Sequence, residues 1–287
     1  MGGPRVNLDP NKIVELYEKH QSVRKVGKEL GCTGETIRTE MHKLGLSINK
    51  PILYSCNESF FNEDNEKSFY WAGFLAADGC IVEKDNSLIL SMGLSTKDRL
   101  HLEKFKSDLN AEHPIHEFVI KNSKRNSNWN DGYKAEIQIC NTPICKSLER
   151  FNVFPRKTKT YTFPSWLIFN EHVNHFMRGY FDGDGSWFIG ASKKTDQLFF
   201  SLRGTKDFLV LYRSILENKC NLKQKTKPIR INCNIGVLEY GGNGISVKIR
   251  DFLYKNATVF LERKYDLVKD ISPWVPKYKR NMEIQAL

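Results

Sequence analysis

From about Glu66 to Ala77 the chain carries an apolar run that reads as a helix, and from Ser87 to Ser95 it changes to clear alternation. Alternation at every second position marks a strand with one covered face, whereas contacts at i, i+3 and i+4 mark a helix. Asp98–Leu109 returns to the helical period, with Leu102, Phe105 and Leu109 on one face. A hairpin is predicted from Ile115–Ile120 and Tyr133–Cys140, joined by the Asn/Ser/Lys-rich stretch 121–132, and Pro143–Phe151 closes this half as a helix. The same order then recurs as helix 174–183, strand Gln197–Arg203 and helix Lys206–Asn218. A hairpin of Ile229–Asn234 with Gly236–Ile249, turning at Gly241-Gly-Asn-Gly244, follows, and a long helix is expected from about Asp251. Each half reads as α-β-β-α-β-β-α. Helices interleaved with antiparallel hairpins argue for an α+β fold rather than a wound parallel sheet.

Ahead of this duplication, residues 9–47 read as three short helices. Asp9-Pro10 opens the first, whose Ile13, Leu16 and Tyr17 share a face; Ser22–Leu30 forms the second and about Gly34–Leu44 the third, with Ile37 and Met41 facing inward. Gly27 and Gly31 suit the close crossing of a helix-turn-helix, whose last helix would present Thr36, Arg38, Thr39 and Lys43 to DNA. A structural or protein-binding three-helix module is the other reading. The expected organisation is therefore a helix-turn-helix domain at 1–50, a polar linker at 51–65 and two repeats at 66–173 and 174–287.

The repeats are headed by Trp71-Ala-Gly-Phe-Leu-Ala-Ala-Asp-Gly79 and Met177-Arg-Gly-Tyr-Phe-Asp-Gly-Asp-Gly185, 106 residues apart. Gly73/Ala77 and Gly179/Gly183 place small residues four apart, which lets two helices pack backbone to backbone. Gly79 and Gly185 are expected to end their helices in the left-handed cap. Asp78 and Asp184 then sit at helix C-termini, where the helix dipole disfavours a carboxylate. Paired, they would be relieved by a divalent cation. A hairpin turn explains either Asp-Gly alone, but the landmarks repeat: Thr-Lys-Asp begins 18 residues after Asp78 and 21 after Asp184. Likewise Lys157 follows Asp78 by 79 residues and Lys264 follows Asp184 by 80.

On these residues the chain resembles the LAGLIDADG homing endonucleases, mobile-element nucleases, in their single-chain, two-motif form, over about residues 60–270. The resemblance implies two pseudo-symmetric repeats whose sheets form a DNA-binding saddle. It implies that Asp78 and Asp184 bind metal, two or three Mg²⁺ ions at the interface of the motif helices, with Lys157 and Lys264 near the scissile phosphates. The sixth motif position departs from its partner, being Ala76 in the first copy and Asp182 in the second.

Strand patterning supplies a candidate interface. Lys134, Glu136 and Gln138 oppose Ala135, Ile137 and Ile139; Gln197, Ser201 and Arg203 oppose Leu198, Phe200 and Leu202, although Phe199 interrupts that polar face. Ser246 and Lys248 are expected to oppose Ile245, Val247 and Ile249, and Arg230 lies on the strand before them. Such faces suit the major groove, where Arg reads guanine and Gln reads adenine, while the basic tip with Lys121, Lys124 and Arg125 suits phosphates. Forty-four Lys+Arg against 33 Asp+Glu give a net charge of +11, which favours a polyanionic partner. Residues 1–50 hold nine basic and six acidic residues, so +8 of that charge lies downstream. Seven scattered cysteines without a CxxC pair support neither a zinc knuckle nor a disulfide framework.

These features lead to a monomeric, Mg²⁺-dependent, site-specific double-strand DNA endonuclease with a long, roughly palindromic target. The rivals are a non-cleaving transcriptional regulator on the same fold, which would lack the acids, and an intron-RNA maturase, which could coexist. Intein splicing is disfavoured by the terminal residues. With no signal peptide or membrane span in the sequence, the expected location is cytoplasmic, at a nucleoid or in a phage-infected cell, with organelle and nucleus left open.

Overall fold

The computed structural model describes residues 8–20, 22–46, 54–84, 87–121, 132–191, 196–224, 229–232 and 235–272. The chain divides into two compact units, Met1–Ser55 and Cys56–Leu287. The smaller unit contains α1 (Pro10–His20), α2 (Val23–Glu29) and α3 (Gly34–Lys43) around a core of Ile13, Leu16, Tyr17, Val26, Ile37 and Met41. Ser22 and Thr33 accept from backbone N–H groups at the starts of α2 and α3. At Gly27 a Cβ would lie 2.8 Å from the Cys32 carbonyl oxygen, so glycine permits the tight turn between these two helices.

The larger unit opens with Phe60 and Phe61 seated in its core. Its first half comprises α4 (Glu66–Asp78), β1 (Gly79–Lys84), β2 (Ser87–Ser95), α5 (Arg99–Asp108), β3 (Ile115–Ile120), β4 (Gly132–Cys140) and α6 (Thr142–Ser147). The second comprises α7 (Val173–Asp184), β5 (Gly185–Ala191), β6 (Asp196–Thr205), α8 (Lys206–Lys219), β7 (Arg230–Asn232), β8 (Ile235–Gly241) and α9 (Asn243–Leu253), followed by the short α10 (Glu262–Asp266). The α-β-β-α-β-β-α order thus occurs twice. Each half has a four-stranded antiparallel sheet, ordered β1-β2-β4-β3 and β5-β6-β8-β7.

One continuous core joins the halves. Residues 68–76 of α4 are all buried, as are residues 173–182 of α7, so these two helices form the interior rather than a surface layer. Ala135, Ile137 and Ile139 of β4 and Leu198, Phe200 and Leu202 of β6 point into the core. The alternate residues Lys134, Glu136 and Gln138, and Gln197, Ser201 and Arg203, lie on the outer faces.

Two expectations fail. Residues 243–253 are helical, so Ser246 and Lys248 do not belong to a polar strand face. Gly242, at φ +95°, ends β8, and Ser246, Val247, Ile249 and Leu253 are buried at helical spacing. Ser246 is fully buried and donates to the Leu198 carbonyl, while Lys248 lines a groove with Phe169, Lys219 and Asp251. The predicted helix from Asp251 therefore begins eight residues earlier, at Asn243.

Gly79 and Gly185 are not left-handed caps. Their φ/ψ values of −78°/154° and −95°/169° are extended, and each is the first residue of a strand. Space explains both glycines: a Cβ would come within 2.7 Å of Leu75 at Gly79 and 2.2 Å of Phe181 at Gly185.

Candidate functional site

Helices α4 and α7 meet backbone to backbone. A Cβ at Gly73 would stand 2.0 Å from the Phe176 carbonyl oxygen, and one at Gly179 would stand 1.9 Å from that of Tyr70. Near the C-termini, a Cβ at Gly183 would be 2.4 Å from Ala77 Cβ and 3.4 Å from Asp78 Oδ2. Small residues at these positions are therefore a steric requirement of the crossing. The crossing brings the two terminal carboxylates close enough for the charge of Asp184 to act on Asp78.

Both carboxylates reach solvent. Desolvation and then the neighbouring charge of Asp184 push Asp78 up to about 6, against lowering by Lys264, Lys157 and Arg263. Asp184 is also raised, mainly by desolvation, although Lys157, Lys264, Tyr180 and Arg203 favour its ionised form. Two acids held this close resist ionising together, and a nearby positive charge favours the ionised form of both. Among the described residues no three His, Cys, Asp or Glu side chains cluster as a metal cage. The donor set is two hard carboxylates, one from each helix.

The two lysines sit beneath these acids, nearly buried. Lys157 Nζ donates to the Gly79 carbonyl at 2.7 Å. Lys264 Nζ is close to four carbonyls, those of Phe181 (3.0 Å), Asp182 (2.6 Å), Gly183 (3.3 Å) and Gly185 (2.6 Å). An ammonium has three protons, so Lys264 is saturated by these carbonyls, whereas Lys157 uses one proton on protein among the described residues. Both cations stabilise the negative end of a helix that also ends in an acid. Burial lowers both lysines, Lys264 to about 8. Arg156, at φ +62°, delivers Lys157 from a left-handed backbone that is strained for a side-chain-bearing residue.

Sequence reasoning missed the network behind the acids. Asp182 is 1% exposed, and its carboxylate accepts from Tyr70 Oη (2.8 Å), Tyr254 Oη (3.2 Å) and the Leu261 amide (2.8 Å). Because Tyr70 gives its proton to Asp182, His101 Nε2 donates to the Tyr70 oxygen at 2.9 Å. His101 is accordingly neutral; burial lowers it to about 3. Arg178, fully buried, reaches the carbonyls of Val259 and Leu253, His175 Nδ1 and Glu66 Oε1. Glu66 in turn accepts from the amides of Thr258 and Val259. The signal was an arginine inside an apolar motif, which must be paired if buried. His175 is thereby committed to Arg178, and burial followed by that charge lowers it to about 4.

Arg263 was also missed. Its Nε donates to both Asp98 oxygens, at 2.9 and 3.0 Å, which ties the Thr-Lys-Asp landmark of the first half to the segment that carries Lys264 in the second. Lys104 and Glu262 form a further ion pair between the halves.

From the acids, β1 and β5 begin the two outer sheet faces. On the first, Glu136 accepts from Ser91 and Gln138 and pairs with Lys134, so these candidate contacts are already engaged. On the second, Arg203 is exposed beside Val237, and Arg230 is the Val237 partner on β7. Gln197 is exposed on β6. Lys124 and Arg125 lie outside the described residues. In the smaller unit, Arg38 and Lys43 are exposed and paired to Glu35 and Glu40, and Thr39 donates back to the Glu35 carbonyl. Among the described residues, no helix is long and apolar enough to cross a membrane.

No protein-family profile matches the chain, and no curated protein matches it. Solved structures do. The homing endonuclease I-WcaI bound to its DNA recognition sequence is similar over 82% of this chain and 98% of its own, with a TM-score of 0.53 and 15% identity. The LAGLIDADG meganuclease I-CpaMI bound to uncleaved DNA is similar over 72% of this chain and 90% of its own, at TM-score 0.48 and 16% identity. The LAGLIDADG homing endonuclease I-GzeII in complex with its DNA target is similar over 78% and 92%, at TM-score 0.47 and 13% identity. Two four-stranded antiparallel sheets, one from each half, with the paired helices α4 and α7, give this chain the fold of the homing endonuclease I-WcaI, the LAGLIDADG-type saddle.

Proposed function

We propose that this protein is a monomeric, site-specific double-strand DNA endonuclease that uses Mg²⁺. The juxtaposition of Asp78 and Asp184 at the origin of two outer sheet faces carries this reading. Mg²⁺ commonly takes one or two carboxylates and fills its other positions with water and phosphate oxygens, so two acids without a third fit it. Asp78 and Asp184 would hold the ions, which supply charge neutralisation at the phosphate and an acidified water.

The chain's own residues position and balance that site. Gly73, Gly179 and Gly183 fix the helix crossing and hence the separation of the acids. Lys157 and Lys264 hold the helix ends, and Lys157 retains protons to direct at a scissile phosphate. The outer faces, with Gln138, Gln197 and Arg203, would follow the major groove, Arg230 of the neighbouring strand β7 is a further candidate, and the small unit would add a second DNA contact through α3. Its ion pairs are surface pairs of small net strength, readily exchanged for phosphates.

The test is incubation of a randomised duplex library with the protein in Mg²⁺ or Ca²⁺. Mg²⁺-dependent cuts at one recovered sequence support the reading. Selective binding without cuts in Mg²⁺ replaces it with a non-cleaving DNA-binding regulator.

A further inference from the structure

Each outer sheet face carries an apolar row, of which Phe199 alone is marked in the sequence. In the first half Val82 pairs with Ile89, which pairs with Cys140; in the second Phe188 pairs with Phe199, which pairs with Gly241. Both rows occupy the same place in their sheets, on the side opposite the core, and Val82 and Phe188 each follow their acid by four residues. Val82 is 46% and Phe188 42% exposed. The two phenyl rings are face to face, with centroids 5.0 Å apart and planes within 4°.

The second row is also given room. A Cβ at Gly190 would lie 2.7 Å from the Phe199 ring, and one at Gly241 would lie 2.6 Å from it. Neighbouring residues on this face are hydrogen-bonding, including Ser186, Ser201, Gln197 and Arg203. An aromatic pair cleared of side chains within a polar face is a shaped apolar contact, and the surrounding basic balance of the chain commits its partner to nucleic acid.

We infer that Phe188 and Phe199, and less strongly Val82 and Ile89, are specificity-determining residues that read the C5-methyl groups of thymines in the major groove. This rests on the DNA-binding reading given under Proposed function. The thymine methyl is the apolar feature of the major-groove edge, and phenylalanine is one of the side chains that contacts it. Distance fixes where it must lie. Four residues of strand span about 13 Å, equivalent to about four base pairs at 3.4 Å each. Thymines are therefore required about four base pairs to either side of the acids, with the stronger requirement in the half-site of β5 and β6.

The experiment uses the full chain in Ca²⁺ and the duplex recovered from the library. Each thymine within three to six base pairs of the centre, on either strand, is replaced singly by deoxyuridine, which removes only the methyl. The wild-type protein is expected to lose about fourfold in affinity at one such position of the second half-site, the effect of one buried carbon group. Phe188→Ala and Phe199→Ala should bind thymine and deoxyuridine duplexes equally, and Phe188→Leu should keep part of the preference. The inference is overturned if no recovered site carries thymine in that window, if every deoxyuridine duplex binds the wild type within about twofold of the parent (roughly the scatter expected for independent sites), or if the alanine variants keep the preference. Absence of any selective binding would defeat the DNA-binding reading as well, and so differs from these outcomes.

Discussion

Eight residues before its acid α4 carries Tyr70, where α7 carries Phe176; six before, Ala72 stands against Arg178, and two before, Ala76 stands against Asp182. The positions that govern the crossing do not diverge in this way: Gly73 matches Gly179, Ala77 matches Gly183 and Asp78 matches Asp184. The comparison separates two demands on a duplicated helix. Steric contact across the pseudo-dyad is reciprocal, so both copies must stay small. A hydrogen bond across it is needed only once, so Tyr70 on one helix and Asp182 on the other are enough. The outcome is a centre with symmetric chemistry and one-sided anchoring.

The largest effect should come from breaking the reciprocal contact. Gly179→Ala or Gly73→Ala drives a methyl into a backbone carbonyl and should cost about 3 kcal/mol or more. Urea denaturation would show it as a large drop in midpoint or as failure to fold. If either variant keeps wild-type stability, the crossing is not as tight as described.

Next, the one-sided network predicts that equivalent positions are not interchangeable. Asp182→Ala strands the Tyr70 and Tyr254 hydroxyls and the Leu261 amide, at a cost of about 3 kcal/mol. Ala76→Asp places a carboxylate where Phe176 offers no matching hydroxyl, and should also destabilise. Equal tolerance at the two positions in denaturation curves would remove the claimed asymmetry.

The two lysines differ in the same one-sided way. Lys264→Ala removes a cation shared by four carbonyls and should lower stability together with activity. Lys157→Ala should lower cleavage by about 100-fold with a smaller loss of stability. Identical stability and rate profiles for the two variants would count against the different roles.

A smaller effect is expected from pH. In the metal-free protein Asp78 titrates near 6, above an ordinary carboxylate, so its contribution to stability is present at low pH and is lost as pH rises through about 6. A cation held there, as proposed, would have to displace that proton. Thermal stabilisation by Ca²⁺ should therefore be weak at pH 5 and reach its full extent by pH 7, and it should vanish in Asp78→Asn/Asp184→Asn. A pH-independent Ca²⁺ shift would place the ion elsewhere.

Much of this architecture is legible in the sequence because its periods are distinct. Alternation in β2, β4 and β6 and helical spacing in α5 and α8 recover the doubled order, and the two motifs locate the acids and the small residues between them. Residues 243–253 mislead because Ile245, Val247 and Ile249 alternate as a strand would, while burial of Ser246 and Leu253 becomes apparent only with the helix that covers Leu198. Gly79 and Gly185 mislead because a glycine after a helix suggests a backbone need, whereas here the need is for space beside Leu75 and Phe181. The Asp182 network is illegible in sequence. Its members Tyr70, His101, Tyr254 and Leu261 come from four separated segments, and nothing in their spacing brings them together.

The proposed function requires Asp78 and Asp184 to form one cation-dependent cutting site fed by both helices. Its most direct test is strand-resolved cleavage of the recovered duplex by wild type, Asp78→Asn and Asp184→Asn, with binding measured in parallel in Ca²⁺. Wild type should cut both strands in Mg²⁺, and either variant should lose double-strand cleavage by at least about 100-fold with the duplex still bound. Either variant cutting both strands at the wild-type rate would contradict it.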